Sequence, residues 1–528
     1  MVKKTKKITS KLGGFKKEYK KADHLSEAGA PSFSQPLELM TLQNLLCNII
    51  EPSYYISNTK LLEQSYQIYN KMVQKDSHLF AQMIVYTRNN GYMRLQPILA
   101  LVYLSKFAPE LFQKIFNHTI HTPKDLHDFI NLCKAGRPRK GLGRRLKTTI
   151  KTWLNDKVSE YWAIKYPKEL IIAAKMVHLT SLEDVKKQNI FDYLFDFRKG
   201  ETETILKKNT QLVAWENLKA TDDPAKILAL IKSGHLPYEA VTGTVNPERD
   251  GWKALMHQMP FFALLRHLAT LERNEIFQNP ENIIYVTQRL TNKDVIAKSK
   301  ILPFRFFEAW KYAKKLPFEI VTALETALEL AFINMPIINK QMLIGTDVSG
   351  SMTSLVSRRI GKKWRKLGYR FIDIAGIFTG ALWKQNKMNT LIIPFDTKSH
   401  KFNPTEFSNI MEMTNWFSSI RGGGTDLGIP LKVMLQQKIK VDLFIGITDN
   451  EDWAGYGVAN DLKKYRDTIN PDLKAFLLRI DPYTHDVAYD LKHPQNYILS
   501  GWSNQIPQLI AFILEGQSQL DFVKKIKI

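Results

Sequence analysis

The segment Leu343-Ile344-Gly345-Thr346-Asp347-Val348-Ser349-Gly350-Ser351-Met352 ends an apolar run with one carboxylate and two hydroxyls in a single loop. Asp347, Ser349 and Ser351 form an Asp-x-Ser-x-Ser array of hard oxygen donors. Such a set, low in charge and rich in hydroxyls, suits a divalent cation that keeps part of its own water, and Mg²⁺ is the expected ion. Two further segments complete the donors. Arg421 to Asp426 carries three consecutive glycines followed by Thr425, whose hydroxyl a flexible loop can bring close, and Val441 to Asp449 reads as a buried strand ending in a second carboxylate, Asp449. An isolated Asp-x-Ser-x-Ser run could equally cap a helix; the conjunction of three such segments at the ends of apolar strands, where open α/β sheets place ligands, favours a metal cradle over a cap.

The elements that must position these residues are legible around them. Strand-like runs at 342–347, 391–395, 442–448, 475–480 and 496–500 alternate with helical patterns near 353–384, 405–419, 428–437, 455–467 and 504–515. Strands alternating with helices predict a mostly parallel sheet covered on both faces. Upstream, from Pro36 to about Pro336, the periodicity is helical throughout, and Pro97, Pro109, Pro123, Pro237, Pro260, Pro303 and Pro317 punctuate it, as in an array of antiparallel helix pairs. The change of character places a boundary between Pro336 and Met342. The expected domains are therefore a basic flexible tail over 1–30, a helical-repeat domain over 31–340 and an α/β domain over 341–528.

Charge supplies the second functional clue. The chain of 528 residues carries 75 Lys+Arg against 51 Asp+Glu, a net charge of +24. Residues 341–528 hold 24 of the basic and 18 of the acidic residues, so +18 of the +24 lies in residues 1–340. An excess of this size points to a polyanionic partner, nucleic acid before an anionic membrane surface. No run of apolar residues is long enough for a membrane span, and no apolar stretch follows the N-terminal lysines as a signal peptide requires. Cys47 and Cys133 stand far apart without C-x-x-C spacing, which excludes a disulfide framework and a zinc finger and fits a cytoplasmic setting.

Within the basic part, Lys134 to Lys151 contains Arg137, Arg139, Lys140, Arg144, Arg145 and Lys147 and no acidic residue. Guanidinium forks and ammonium groups at that density suit phosphates, and Gly136, Gly141 and Gly143 let the backbone approach a ligand closely. A solvated helix face is the plainer alternative. No Gly-x-x-x-x-Gly-Lys-Ser/Thr is present, so a nucleotide P-loop is excluded. A further basic run, Arg358 to Arg370, reads as part of a helix just after the metal loop. Tyr54, Tyr55, Trp153 and Trp162 could stack bases but read as core.

These residues resemble two known modules. Asp-x-Ser-x-Ser, then Thr, then Asp is the order of the metal-ion-dependent adhesion site of the von Willebrand factor A-like fold. Together with Pro52 to Ser57, the segment Gly136 to Trp153, Trp252-Lys253-Ala254-Leu255-Met256, Leu264 to Leu268, Arg289-Leu290-Thr291 and Ser299 to Phe304, the chain resembles the Ro autoantigen family over roughly residues 28–515. Two departures stand out: Leu427 where a Cys is common, and an unusually basic Arg137-Pro138-Arg139-Lys140. The resemblance implies an all-α, HEAT-like helical-repeat (TROVE) ring closed by an α/β von Willebrand A-like domain with a doubly wound, mostly parallel sheet. It also implies RNA contact at Lys175 and His178, which fall where the family carries a basic residue and a histidine.

The resulting expectation is a monomeric, non-enzymatic protein that binds small noncoding, Y-type RNA and the single-stranded 3′ ends of misfolded or structured RNA, for quality control or scaffolding. An exoribonuclease is a further expected partner by resemblance. The alternative is a metal-dependent adhesion module that captures an acidic protein ligand and binds polyanions incidentally. A hydrolase using Asp347 and Asp449 is disfavoured, since no general base is recognisable beside the cradle.

Overall fold

In the computed structural model the described residues exclude 1–7, 11–16, 20–23, 26–30, 33, 35, 48–57, 183, 197–208, 300, 302, 314, 333–336, 361–362, 450–451, 453, 455–456, 481–487, 501–505 and 516–519. Tyr54 and Tyr55 thus lie outside them. The chain divides into two compact units, one of residues 1–96, 302–308 and 328–527 and one of residues 97–301, 309–327 and 528.

The first unit is built on a five-stranded parallel sheet in the order β11-β10-β9-β5-β8. Its strands are β5 (Met342–Asp347), β8 (Thr390–Phe395), β9 (Leu443–Thr448), β10 (Lys474–Arg479) and β11 (Asn496–Ser500). Strands β5 and β9 are buried along their whole length, as continuous apolar runs in a parallel sheet must be. Register aligns Asp347 with Phe395 and Thr346 with Ile447, which brings the ends of β5, β8 and β9 to one edge. The helix Phe371–Gln385 is buried from Phe371 to Trp383. It approaches the helix Ile410–Ser419 so closely that a Cβ at Gly376 or Gly380 would come within 3.0 Å of Thr414 Cα or Ile410 Cγ2.

The region read as one helix over 353–384 divides instead. Strands β6 (Leu355–Ile360) and β7 (Lys363–Arg370) form an antiparallel hairpin before the helix begins. Ile360 pairs with Lys363, and this antiparallel pairing prevails over the helical reading of the segment. The basic run from Arg358 to Arg370 therefore belongs largely to strands.

Packing also differs from the compositional boundary at 340. Leu39, in the helix Leu37–Cys47, rests on the apolar cluster of the sheet, and that helix contacts β11. Gln82, nearly fully buried in the helix Ser77–Asn89, donates to the carbonyls of Lys524 and Ile526 at 2.8 and 2.9 Å, so the C-terminal residues anchor on an N-terminal helix. In the lysine-rich N-terminal segment, β1 (Ile8–Ser10) pairs with β2 (Lys17–Tyr19) and β3 (His24–Leu25) with β4 (Pro31–Ser32).

The second unit is helical. Prolines open its helices rather than break them: Pro109, Pro123, Pro167, Pro224 and Pro280 occupy first-turn positions, where no backbone N–H is needed. Phe112, Phe116 and Phe129 interlock with centroids 5.2–5.7 Å apart. Trp153 is core, its Nε1–H donating to the Ile120 carbonyl at 3.0 Å. Among the described residues no helix is long and apolar enough to cross a membrane.

Phe444 is fully buried in β9 against Tyr489 and lies under Gly345. Phe444→Ala is expected to destabilise the sheet unit by about 3–5 kcal/mol, read as a lowered urea midpoint for that unit's unfolding.

Candidate metal centre and basic recess

The loop after β5 and the residue after β9 meet at the carboxyl edge of the sheet. Asp347, fully buried, accepts from the Ser349 amide at 2.8 Å and from the Thr448 hydroxyl at 2.6 Å. The Ser349 and Ser351 hydroxyls are 3.3 Å apart. The glycine segment docks here through the Gly350 amide, which donates to the Gly423 carbonyl at 2.9 Å. A Cβ on Gly422 would lie 1.7 Å from the Val348 carbonyl oxygen, so this glycine is required for the close approach, not for flexibility. Thr425 is buried on the same segment, its carbonyl accepting from the Ala454 amide at 2.8 Å.

Asp449 is also fully buried, and burial together with its charge pushes the Asp347 carboxyl well above the usual carboxylate range. Among the described residues no three His, Cys, Asp or Glu side chains gather as a metal cluster. The donors at this edge are two carboxylates and three hydroxyls, a hard oxygen set that fits a small divalent cation and not a soft one. A cation between Asp347 and Asp449 would offset the repulsion that burial otherwise imposes.

Aspartates that the sequence reading did not assign build the wall around this cradle. Asp396, next after β8, accepts from the Gly423 amide at 3.1 Å and the Lys398 amide at 3.0 Å, with the His400 ring 3.3 Å away. Burial acts to raise its pKa, but these donors prevail and hold it below the usual range. Asp452, fully buried, accepts from the amides of Leu427 (2.9 Å) and Val458 (2.5 Å), and burial followed by the charge of Asp426 pushes it up to about 7. Lys432 bridges Asp426 at 2.6 Å and Asp461 at 3.5 Å. The available signal was positional: Asp396 follows an apolar strand, as Asp347 and Asp449 do.

The helical unit gathers part of the predicted basic set. Leu142, Arg144, Lys147, Thr148 and Lys151 line a recess of about 430 Å³ with Val177 and His178 from a neighbouring helix. The helix Arg144–Lys157 buries Leu146, Ile150, Trp153 and Leu154 and turns its basic face outward, an amphipathic division at period 3.6. His178 ends the helix Pro167–Val177 in a left-handed conformation, φ 53°, and is exposed.

The other predicted residues are placed differently. Arg139 faces inward: its guanidinium donates to the Gly141 carbonyl at 3.1 Å and to Ser105 Oγ and O at 2.9 and 3.2 Å, so it ties the loop to the helix Leu95–Phe107. Arg137, Lys140 and Arg145 are exposed outside the recess lining, and Lys175 is exposed with its ammonium 5.9 Å from the Phe195 ring centroid. Lys151, the last cation of the predicted basic stretch, also lines the recess, together with Thr148, which the sequence did not single out.

Comparison with known proteins agrees with this architecture. The family model described as the Ro60 vWA domain matches residues 341–511, and that of the TROVE domain matches residues 244–317. The chain is similar to the RNA-binding protein RO60 of Caenorhabditis elegans, 25% identical over 472 residues that cover 75% of this chain and 71% of that protein. It is also similar to the RNA-binding protein RO60 of Deinococcus radiodurans, 24% identical over 430 residues covering 76% and 78%. The crystal structure of the Deinococcus radiodurans RO (RSR) protein matches its fold with a TM-score of 0.66 at 20% identity, over 92% of this chain and all of that one.

Two outcomes follow for the cradle. Gly422→Ala is expected to weaken Mg²⁺ binding by at least about tenfold in titration calorimetry while far-ultraviolet circular dichroism stays unchanged, because the added methyl must push the glycine segment off Val348. Asp347 has a folded-state pKa above its unfolded value, so its contribution to stability is complete below the ordinary carboxylate range and is lost as pH rises through neutrality. Metal-free protein should therefore lose stability from weakly acidic to weakly basic pH, and added Mg²⁺ should raise the melting temperature more at the basic end.

Proposed function

We propose that this chain is a member of the Ro family, as its matches to the TROVE and Ro60 von Willebrand A domain models support, and an RNA-binding protein of noncoding RNA quality control or scaffolding. The RNA it takes is small, structured and Y-like, or misfolded with a free single-stranded 3′ end. The observation that carries the reading is the recess where Arg144, Lys147, Lys151 and His178 converge from two helices. Three cations and a hydroxyl around one opening suit successive phosphates, with an exposed imidazole beside them as an additional donor or stacking surface. The named function of the two RO60 relatives supports the same class. Affinity built this way is mainly electrostatic and falls steeply with salt.

The cradle at the sheet edge serves a separate role in this reading. Asp347, Ser349, Ser351, Thr425 and Asp449 would hold a divalent cation, most suitably Mg²⁺, which when bound offers a coordination position to an acidic residue of a protein partner. An exoribonuclease is one partner class compatible with RNA quality control. The protein acts as a cytoplasmic monomer and without catalysis of its own.

The test is binding of the full chain to a structured RNA with and without a single-stranded 3′ tail, across a salt series and beside a matched DNA duplex. Tighter binding of the tailed RNA with a steep salt dependence is expected. Reversing Arg144 and Lys147 to Glu should weaken RNA binding at least about tenfold and reduce the salt slope by about 2, near one unit for each lost phosphate contact. Asp347→Ala should leave RNA affinity unchanged; loss of RNA binding in that variant would assign the RNA to the cradle instead.

A further inference from the structure

Strand β8 is the outer strand of the sheet, bonded to β5 on one side. On its other side the chain after Phe395 turns back, and Phe395 and Ser399 form a single antiparallel bridge. The His400 amide donates to the Pro394 carbonyl at 2.9 Å and the Asp396 amide to the Lys398 carbonyl at 3.0 Å, which completes that short return. Pairing stops there because Phe402 leaves the sheet: its ring stacks on Phe407 and Phe417 and lies 4.8 Å from that of Trp416. Among the described residues nothing continues the return strand beside Thr390, Leu391 and Ile392.

The ladder shows which backbone groups are left on the open side. The Phe395 carbonyl accepts from the Val348 amide at 2.8 Å, toward β5, whereas the Pro394 carbonyl accepts from His400, away from it. Backbone groups alternate sides along a strand, so the Ile392 N–H and C=O and the Thr390 C=O point outward in phase with Pro394. Proline suits position 394, where the missing N–H falls on the outer side.

Side chains at this end of the strand are apolar and uncovered. Leu391 is 38% exposed, Met388 just before the strand 93% and Ile337 72%. Ile337 belongs with them, because the Ile338 amide donates to Asn386 Oδ1 at 2.6 Å and Gln341 Nε2 donates to Asn389 Oδ1 at 3.5 Å. An apolar, unpaired strand edge invites another chain, and proteins commonly guard such edges with lysines. Lys340 and Lys387 are exposed beside the patch and Lys398 on the return segment, and neither 337–341 nor 384–395 contains an acidic residue. Two copies meeting edge to edge would set the lysines at the two ends of the edge against each other, so this charge opposes self-association. It favours an incoming strand that carries carboxylates.

We infer that the open edge of β8 is a docking site for an extended acidic segment of a partner protein, which adds as a strand along Thr390–Ile392, sets apolar side chains on Leu391, Met388 and Ile337, and places carboxylates against Lys340 and Lys387. The site lies at the amino end of β8, whereas the oxygen cradle lies at the carboxyl edge of the sheet, so docking here needs neither a cation nor RNA.

The test uses the full chain, kept in EDTA so that no cation can draw carboxylates to the cradle, and a fluorescein-labelled peptide of alternating valine and glutamate. Its anisotropy titration should saturate, and hydrogen exchange read by mass spectrometry should show protection over residues 388–393. The same peptide N-methylated at alternate residues keeps its charge but cannot pair, and it should bind at least about tenfold more weakly. Ile392→Pro, a change that an edge strand tolerates, removes the outward N–H and should weaken the unmethylated peptide to a similar extent. Met388→Glu together with Leu391→Glu, both at exposed side chains, should abolish binding while far-ultraviolet circular dichroism stays unchanged. Equal binding of the two peptides, absence of protection at 388–393, or indifference to both variants overturns the assignment. So does a dimer in sedimentation velocity that the Met388→Glu, Leu391→Glu variant dissolves, because the occupant is then a second copy of this chain. RNA affinity of the same variants should stay within about twofold of the unaltered protein, as expected of changes outside the phosphate contacts, so failure at the strand edge leaves the RNA reading standing.

Discussion

The repulsion between two buried carboxylates, Asp347 and Asp449, is the constraint around which the α/β unit is arranged. Taking one uncompensated carboxylate out of water costs several kcal/mol, and a second beside it raises the cost further. A parallel sheet makes the juxtaposition unavoidable, because β5 and β9 run the same way and end at the same edge. The surrounding loops answer with donors: the Ser349 amide and Thr448 hydroxyl on Asp347, and a segment of three glycines pressed against the Val348 carbonyl. Asp396 holds that segment from the next strand, and Asp452 ties the loop after Thr425 to the helix that follows β9. Each contact reduces the freedom of the loops and keeps the oxygens converged where a cation would complete the charge balance.

The helical unit follows a different logic, in which one face of each helix is buried and the other is left to carry charge. Arg144–Lys157 illustrates it, with Trp153 and Leu154 inward and Arg144, Lys147 and Lys151 around an opening. The same division produces the Arg249, Lys253, His257 row, since a side chain repeated every four residues stays on one side of a helix. The two rows differ in what accompanies the cations. One meets an exposed histidine at a helix end; the other meets aromatic rings and acidic neighbours.

Much of this was readable from the letters because it is local. The strand and helix patterns after residue 340 match the observed elements to within a few residues, apart from strands Leu355–Ile360 and Lys363–Arg370, whose antiparallel pairing overrides the helical reading. That Asp347 and Asp449 come to one place was legible for the same reason: each ends an apolar run, and parallel strands bring such ends to one edge.

What the tertiary structure decided is which side chains meet. Sequence density marked Arg139 and Lys147 alike, yet Arg139 turns inward to Ser105 while Lys147 lines a recess, because the direction of a side chain is set by the backbone around Gly141 and Gly143 and not by composition. The helix Leu37–Cys47 packs against β11, some four hundred and fifty residues further along the chain, a contact that no local pattern encodes. His257 and Tyr285 stand 28 residues apart and become neighbours only when two helices lie side by side. The sequence by itself determined element types, the carboxylates and hydroxyls at the strand ends and the basic character of the helical half, all consequences of short-range spacing and charge. The gathering of those residues into recesses, tracks and a closed cradle depends on long-range packing, where burial of apolar faces selects the partners.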